Sequence, residues 1–203
     1  MILYEDSRAP NPRRVRIFLA EKSIEVDRKE VEIMSKAHFS DDMMELNPFA
    51  GVPFLVLDDG QVICETIAIC RYFEELNPEP NLFGKGALEI AMIEMWQRRI
   101  ELGLFYTVAQ AFRHSNPYMA ELEVPQVPDW ANANFERIDG ILAKLDTVLS
   151  RQEYIAGDRY SVADITALVA IDFMRIIKKK LTDQHPNLSR WHTQVAARPG
   201  SVS

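Results

Sequence analysis

Cysteine is scarce in the 203 residues: Cys64 and Cys70 are the only two. They cannot frame a disulfide-stapled fold, and in a reducing compartment each reads as a small buried hydrophobe. Histidine is nearly as rare, and His38, His114, His185 and His192 are scattered, so no metal site is expected. A glycine-rich phosphate loop and a Gly-x-Ser-x-Gly elbow are both missing, which removes nucleotide chemistry and hydrolase triads. Long apolar runs are absent too. The longest uncharged stretches, such as 102–112, reach about half of the ~20 residues a bilayer span requires, so no membrane association is expected. Glu5, Asp6, Arg8, Arg13, Arg14 and Arg16 crowd the start of the chain and leave no room for a secretory apolar segment, so a cytoplasmic location is expected. Positive charge is short: 23 Lys and Arg face 30 Asp and Glu, net −7. Such a field repels phosphate backbones and anionic lipid, and nucleic acid is not an expected partner.

What is present suits a packed protein of two small domains, with 47% apolar and 26% charged residues. The first 76 residues alternate short apolar runs with 3.6-period segments in the order βαβαββα. Strands are expected at Met1–Tyr4, around Val31 and Ile33, at Phe54–Leu57 and at Gln61–Cys64, the last two joined by Asp58-Asp59-Gly60. Helices are expected from about Pro12 to Lys22, from His38 to Leu46 and from Thr66 to Leu76. The breaker-rich segment around Asn77-Pro-Glu-Pro-Asn marks the boundary, giving a domain at 1–78, a linker at 79–86 and an all-helical domain at 87–203. There, Ile90, Ile93, Trp96, Ile100, Leu104 and Val108 predict one long helix over 87–112. A proline-bearing loop, a helix at 129–149 and a last helix at about 188–197 follow. Ser161 and Asp164 form a capping box that starts another helix, with Tyr160 and Ile165 at its staple positions.

Three motifs occur in order across both halves: Asn47-Pro-Phe-Ala-Gly-Val-Pro53, Glu65-Thr66-Ile67-Ala68-Ile69, and Gly157-Asp-Arg-Tyr-Ser-Val-Ala-Asp164. In them the chain resembles the glutathione transferase family, of the cytosolic, bacterial type. The resemblance implies an α/β plus all-α architecture, a thioredoxin-like N-terminal domain followed by a helical one. It also implies a homodimer that binds glutathione as cosubstrate and conjugates it to a small hydrophobic electrophile. Reduction of a disulfide with two glutathione molecules, and a non-catalytic interaction module of the same fold, are the alternatives.

The same resemblance implies roles for single residues. The peptide before Pro53 would be cis, turning Val52 so that its N–H and C=O meet the cysteinyl part of the ligand; otherwise Pro53 merely starts a strand. Thr66, at a helix start, would hold the γ-glutamyl carboxylate and Glu65 the ammonium; otherwise they are a plain cap beside a solvated acid. His38 would bind the glycyl carboxylate, as in a theta-like subset, or be an ordinary histidine at the start of an exposed helix.

A thiol with pKa near ~8.5 needs stabilisation of about 1.4 to 3 kcal/mol to ionise at neutral pH. The loop that would supply it reads Ser7-Arg8-Ala9-Pro10-Asn11-Pro12-Arg13-Arg14-Val15. Ala9 stands where theta- and zeta-like members have serine, and Ala9-Pro10-Asn11 is closest to the nu-like Thr-Pro-Asn. The catalytic candidates are therefore Asn11, read as N-cap with Pro12 at N1 and its amide facing sulfur, and Ser7, the nearest hydroxyl. Both also fit plain structural roles, a cap and a turn. Tyr4 is too early in the strand to serve. Arg8, Arg13, Arg14 and Arg16 are expected mostly in solvent or at a dimer interface. Phe105, Tyr106, Phe112, Arg113 and Tyr118 are candidates for the electrophile pocket or for core.

Overall fold

The computed structural model describes residues 1–202. They fall into two compact units, residues 1–81 with the C-terminal segment from Pro199, and residues 82–198. The return of the C-terminal segment to the first unit differs from the expectation that it ends the helical half.

In the first unit the order is β1 (Ile2–Glu5), α1 (Pro10–Glu21), β2 (Asp27–Glu30), a 3-10 turn (Ala37–Phe39), α2 (Asp41–Leu46), β3 (Phe54–Val56), β4 (Val62–Cys64) and α3 (Thr66–Leu76). The sheet order is β2-β1-β3-β4, with β1 parallel to β2 and the other pairs antiparallel. This is the thioredoxin-like arrangement expected. The hairpin forms at Asp58-Asp59-Gly60, where Gly60 takes φ +86°, a conformation glycine adopts without a steric cost. Buried Leu3, Val15, Phe18, Leu55, Ile69 and Phe73 form the core of this unit.

β2 is not the apolar strand expected around Val31 and Ile33. It is Asp27–Glu30, exposed along its whole length. It is an edge strand, and its charges discourage pairing with another chain. Val31 is buried just beyond it and donates its N–H to Glu5 O at 2.7 Å.

The C-terminal turn (Pro199–Val202) lies on α1. Arg13 Nη2 donates to Ser201 O at 3.3 Å, and a Cβ added at Gly200 would meet Ile17 O and the Glu21 side chain at 3.1 Å. Lys22 ends α1 with its side chain wholly buried. Its Nζ lies 2.7 Å from Glu74 Oε2 and donates to Asn77 O and Pro80 O at 2.6 and 2.9 Å.

The second unit contains α4 (Gly86–Arg98), α5 (Tyr106–Ser115), α6 (Pro128–Leu149), α7 (Val162–Phe173) and α8 (Pro186–Ala196). The single helix expected over 87–112 is interrupted by a π-helical stretch, Arg99–Phe105. From Trp96 on, the stripe Trp96, Ile100, Leu104 and Val108 recurs every four residues, which on an α-helix drifts by about 40° per step. The wider π turn takes up that drift and keeps Ile100, Leu104 and Val108 all within 1% of full burial. α7 starts at the expected box, with Ser161 N–H and Oγ both donating to Asp164 Oδ2 at 2.9 and 3.0 Å. Asp164 Oδ1 also accepts from Ile155 N–H and Trp191 Nε1–H, each at 2.8 Å.

Candidate active site

Strand register fixes where the site elements stand. Tyr4 lies opposite Phe54, and Phe54 opposite Cys64. The exit of β1, the entry of β3 and the exit of β4 therefore share one end of the sheet. Neighbouring strands are ~4.8 Å apart, so this end spans about 10 Å, close to the length of an extended tripeptide. Ser7 and Asn11 follow β1, Val52 and Pro53 precede β3, and Glu65 and Thr66 follow β4.

The loop before β3 is held by Asn47. Its Nδ2 donates to Gly51 O at 2.8 Å, its Oδ1 accepts from Phe49 N–H at 3.2 Å, and its carbonyl accepts from Ala50 N–H at 2.9 Å. The Val52–Pro53 peptide is cis. No protein group among the described residues bonds to the Val52 N–H or C=O, so a backbone donor and acceptor are left for a ligand at the mouth of β3.

At the exit of β4, Glu65 is the exposed N-cap residue of α3, with φ +71° and ψ 123°. A non-glycine residue in such a conformation costs about 1–3 kcal/mol, the kind of strain found where function dictates geometry. Thr66 is not the cap expected. It is the first helical residue and is buried, so its hydroxyl sits one position inside the helix start. The N–H groups of Thr66 and Ile67 meet no described protein acceptor. Cys64, beside them, has its thiol pushed up from the ordinary cysteine range by burial and by the Glu65 charge.

α1 begins earlier than expected. Ala9 is the N-cap, Pro10 takes N1 and Asn11 takes N2, which corrects the reading of Asn11 as cap. Pro10 fits N1 as well as Pro12 does, and Ala9 N–H closes a turn onto Asp6 O at 3.0 Å. Pro10 and Pro12 carry no N–H, and Arg13 N–H goes to Ala9 O at 3.4 Å. Among the described residues, no group accepts from the Asn11 N–H, so Asn11 brings a free backbone donor of this first turn together with its side-chain amide. That side chain's Oδ1 accepts from Arg14 Nη1 at 3.0 Å.

Ser7 is tied on three sides. Its N–H and Oγ donate to Glu30 Oε1 at 3.0 and 3.2 Å, and its carbonyl accepts from Arg16 Nη2 at 2.8 Å. A hydroxyl has a single proton, and this one points at a carboxylate rather than at a ligand. Behind the loop, Arg16 Nη1 pairs with buried Glu5 at 2.8 Å. Arg14 and Arg16 are 2% and 8% exposed, not in solvent as expected. The partners of Arg16 come from β1 and its loop, whereas Asn11, which accepts from Arg14, lies one turn away on α1 itself. Asp6 accepts from Arg8 and from Ile33 N–H. Burial alone would push its carboxyl up, but these hydrogen bonds outweigh burial and hold it below the usual carboxylate range.

His38 is buried in the 3-10 turn with its ring 4.1 Å from that of Phe39, not at an exposed helix start. Tyr4 is buried and stacked on Phe54 at 4.6 Å. In the second unit, Phe105 and Phe112 both pack on Phe173, while Tyr106 and Tyr118 are exposed. The loop after α5 is pinned by Gln126 to the carbonyls of Arg113 and Asn116, by an Arg113–Glu123 pair, and by Val127 N–H donating to His114 Nδ1. Among the described residues no three metal-ligating side chains come together, and no helix is long and apolar enough to cross a membrane.

Residues 9–76 match a family model described as glutathione S-transferase, N-terminal domain, and residues 112–199 match its C-terminal domain counterpart. Glutathione S-transferase 2 of Saccharomyces cerevisiae is 34% identical over 202 residues, covering 98% of this chain and 87% of that protein. Among solved structures, a glutathione S-transferase domain-containing protein of Marinobacter aquaeolei is 38% identical. It has a TM-score of 0.95 and covers 99% of this chain and 100% of its own. A glutathione S-transferase of Vibrio parahaemolyticus is 37% identical with a TM-score of 0.88, covering 100% and 96%.

Proposed function

The chain belongs to the glutathione S-transferase family, and on that premise we propose that its N-terminal unit binds glutathione, stabilises the thiolate and presents it to a small hydrophobic electrophile. The proposal rests on the end of the sheet, where Asn11, Val52 and Thr66 offer backbone groups without protein partners beside the exposed Glu65 carboxylate. A bound zwitterion needs a partner for each of its charges and peptide groups. Val52 pairs with the cysteinyl residue as a one-residue added strand, set in place by Pro53. The first turn of α3, with Thr66, takes the γ-glutamyl carboxylate, Glu65 takes the ammonium, and His38 takes the glycyl carboxylate.

Of the two activator candidates, Asn11 has donors to spare, while Ser7 must first release Glu30. One hydrogen bond to an anion is worth about 1.5–3 kcal/mol and a helix N-terminus about 0.3–1 kcal/mol more, which covers a pKa shift of one to two units. The thiol proton leaves to solvent. The sulfur lone pair then bonds the electrophilic carbon, and the leaving group departs with the electrons of the broken bond.

We extend the proposal to a cytoplasmic homodimer that detoxifies electrophiles. Two free thiols suit a reducing compartment, and Phe49, 91% exposed beside the site loop, suits contact with a second copy. Calorimetric titration with glutathione, followed by chlorodinitrobenzene and hydroxyethyl disulfide assays, tests the activity. Saturable binding with chlorodinitrobenzene turnover supports it, and no saturable binding overturns it. Turnover of the disulfide alone would replace conjugation by reduction. Sedimentation reads the oligomeric state.

A further inference from the structure

We propose that Arg14 is a positioning residue that holds the Asn11 carbonyl, so that the amide donors of Asn11, not its acceptor, face the glutathione sulfur. The inference rests on the assignment of Asn11 as the thiolate's donor. An asparagine side chain has two faces of opposite electrical sign, and a free one would turn either of them to a ligand. Toward a thiolate the two differ in sign: the NH2 end stabilises the anion and the carbonyl end repels it. A residue that chooses between them therefore decides whether Asn11 lowers or raises the thiol pKa.

Arg14 can make that choice. Its Nη1 lies 3.0 Å from Asn11 Oδ1. A guanidinium has five N–H donors, no acceptor, and keeps its charge at any working pH, so only the oxygen of the amide can face it. Residues 11 and 14 are i and i+3 on α1, neighbours on one helix face. Arg14 is 2% exposed, so packing fixes its fork and water does not compete for the bond. With Oδ1 anchored, Nδ2 is directed away from Arg14. The Asn11 backbone N–H, uncommitted between two prolines, adds a second donor from the same residue. A lysine would keep the charge but lose the planar fork, so it is not an equivalent anchor.

The test is made on the full chain with Arg14→Lys and Arg14→Gln. For each, thiolate ultraviolet absorbance against pH gives the pKa of bound glutathione, calorimetry its Kd, and thermal unfolding the Tm. The thiol pKa is expected to rise by about one unit, a tenfold loss of thiolate below it, while Kd changes by less than about threefold. A thiol pKa unchanged in a folded Arg14 variant overturns the inference. Asn11→Ala separates the two levels. If it leaves the thiol pKa unmoved, the assignment of Asn11 falls and this inference with it. If it raises the pKa and the Arg14 variants do not, only the role of Arg14 falls. Should neither Arg14 variant fold, nuclear Overhauser contacts in the wild-type complex decide: Asn11 side-chain amide protons close to the glutathione cysteinyl β-protons support the inference, and amide protons turned toward the Arg14 guanidinium overturn it.

Discussion

Replacing Asp164 by alanine should cost the second unit much of its stability, and by an amount that depends on pH. The carboxylate is wholly buried and takes hydrogen bonds from Ile155 N–H, Ser161 N–H and Oγ, and Trp191 Nε1–H. Alanine leaves three buried N–H groups without an acceptor, at about 1–3 kcal/mol each, a large share of the 5–15 kcal/mol that holds a typical domain. Burial pushes the Asp164 carboxyl up to about 6 against its hydrogen bonds, from 3.8. A raised folded-state pKa contributes stability that is full below the unfolded value and is lost as pH rises through the folded one. Linkage between these two values gives about 2 kcal/mol at about pH 4.5 and almost nothing at about pH 7.5. The deficit of Asp164→Ala relative to wild type should thus be about 2 kcal/mol larger at the lower pH. Urea unfolding followed by tryptophan fluorescence measures it, since Trp96, Trp130 and Trp191 all belong to the second unit. A deficit that is equal at the two pH values, or larger at the higher one, refutes the reasoning.

Glu65→Ala removes the one exposed carboxylate at the exit of β4 and should weaken glutathione binding by about tenfold or more, the loss of one charge-assisted hydrogen bond. Wild-type affinity by calorimetry would contradict the ammonium assignment. Lys22→Met leaves Glu74 buried beside two carbonyls that have lost their donor and should destabilise the first unit by about 3–5 kcal/mol. The double variant with Glu74→Met should recover part of that loss in urea unfolding, and purely additive losses would argue against a coupled pair. Arg16→Gln loosens both Glu5 and the Ser7 carbonyl and should raise the KM for glutathione more than it lowers kcat; an unchanged KM in a folded variant would show that the loop is held by Glu30 and Asp6 alone.

Much of this fold is legible in the sequence wherever a local rule decides it. Asp58-Asp59-Gly60 makes the hairpin because the turn needs a positive φ, Thr66–Leu76 is bounded as its apolar spacing requires, and the Ser161–Asp164 box starts α7. Legibility fails where the partner is distant in the chain. Arg16 looks like an exposed helix arginine until β1 and its loop supply Glu5 and the Ser7 carbonyl, whereas Arg14 is missed because α1 starts two residues earlier than expected and so brings Asn11 onto its own face. The hydroxyl of Ser7 looks available until Glu30, an exposed residue of a charged edge strand, takes it. β2 itself escapes an apolar pattern search because its pairing with β1 is a backbone matter. The start of α1 shows a further limit: two prolines one residue apart both suit N1, and only the turn from Asp6 to Ala9 selects Pro10.

The central claim is that the N-terminal unit makes glutathione a better acid. Difference absorbance of the thiolate in the wild-type complex, titrated against pH at saturating protein, reads this directly. The account predicts a midpoint one to two units below the ~8.5 of an ordinary thiol. A midpoint equal to that of free glutathione, with the ligand demonstrably bound, would contradict it.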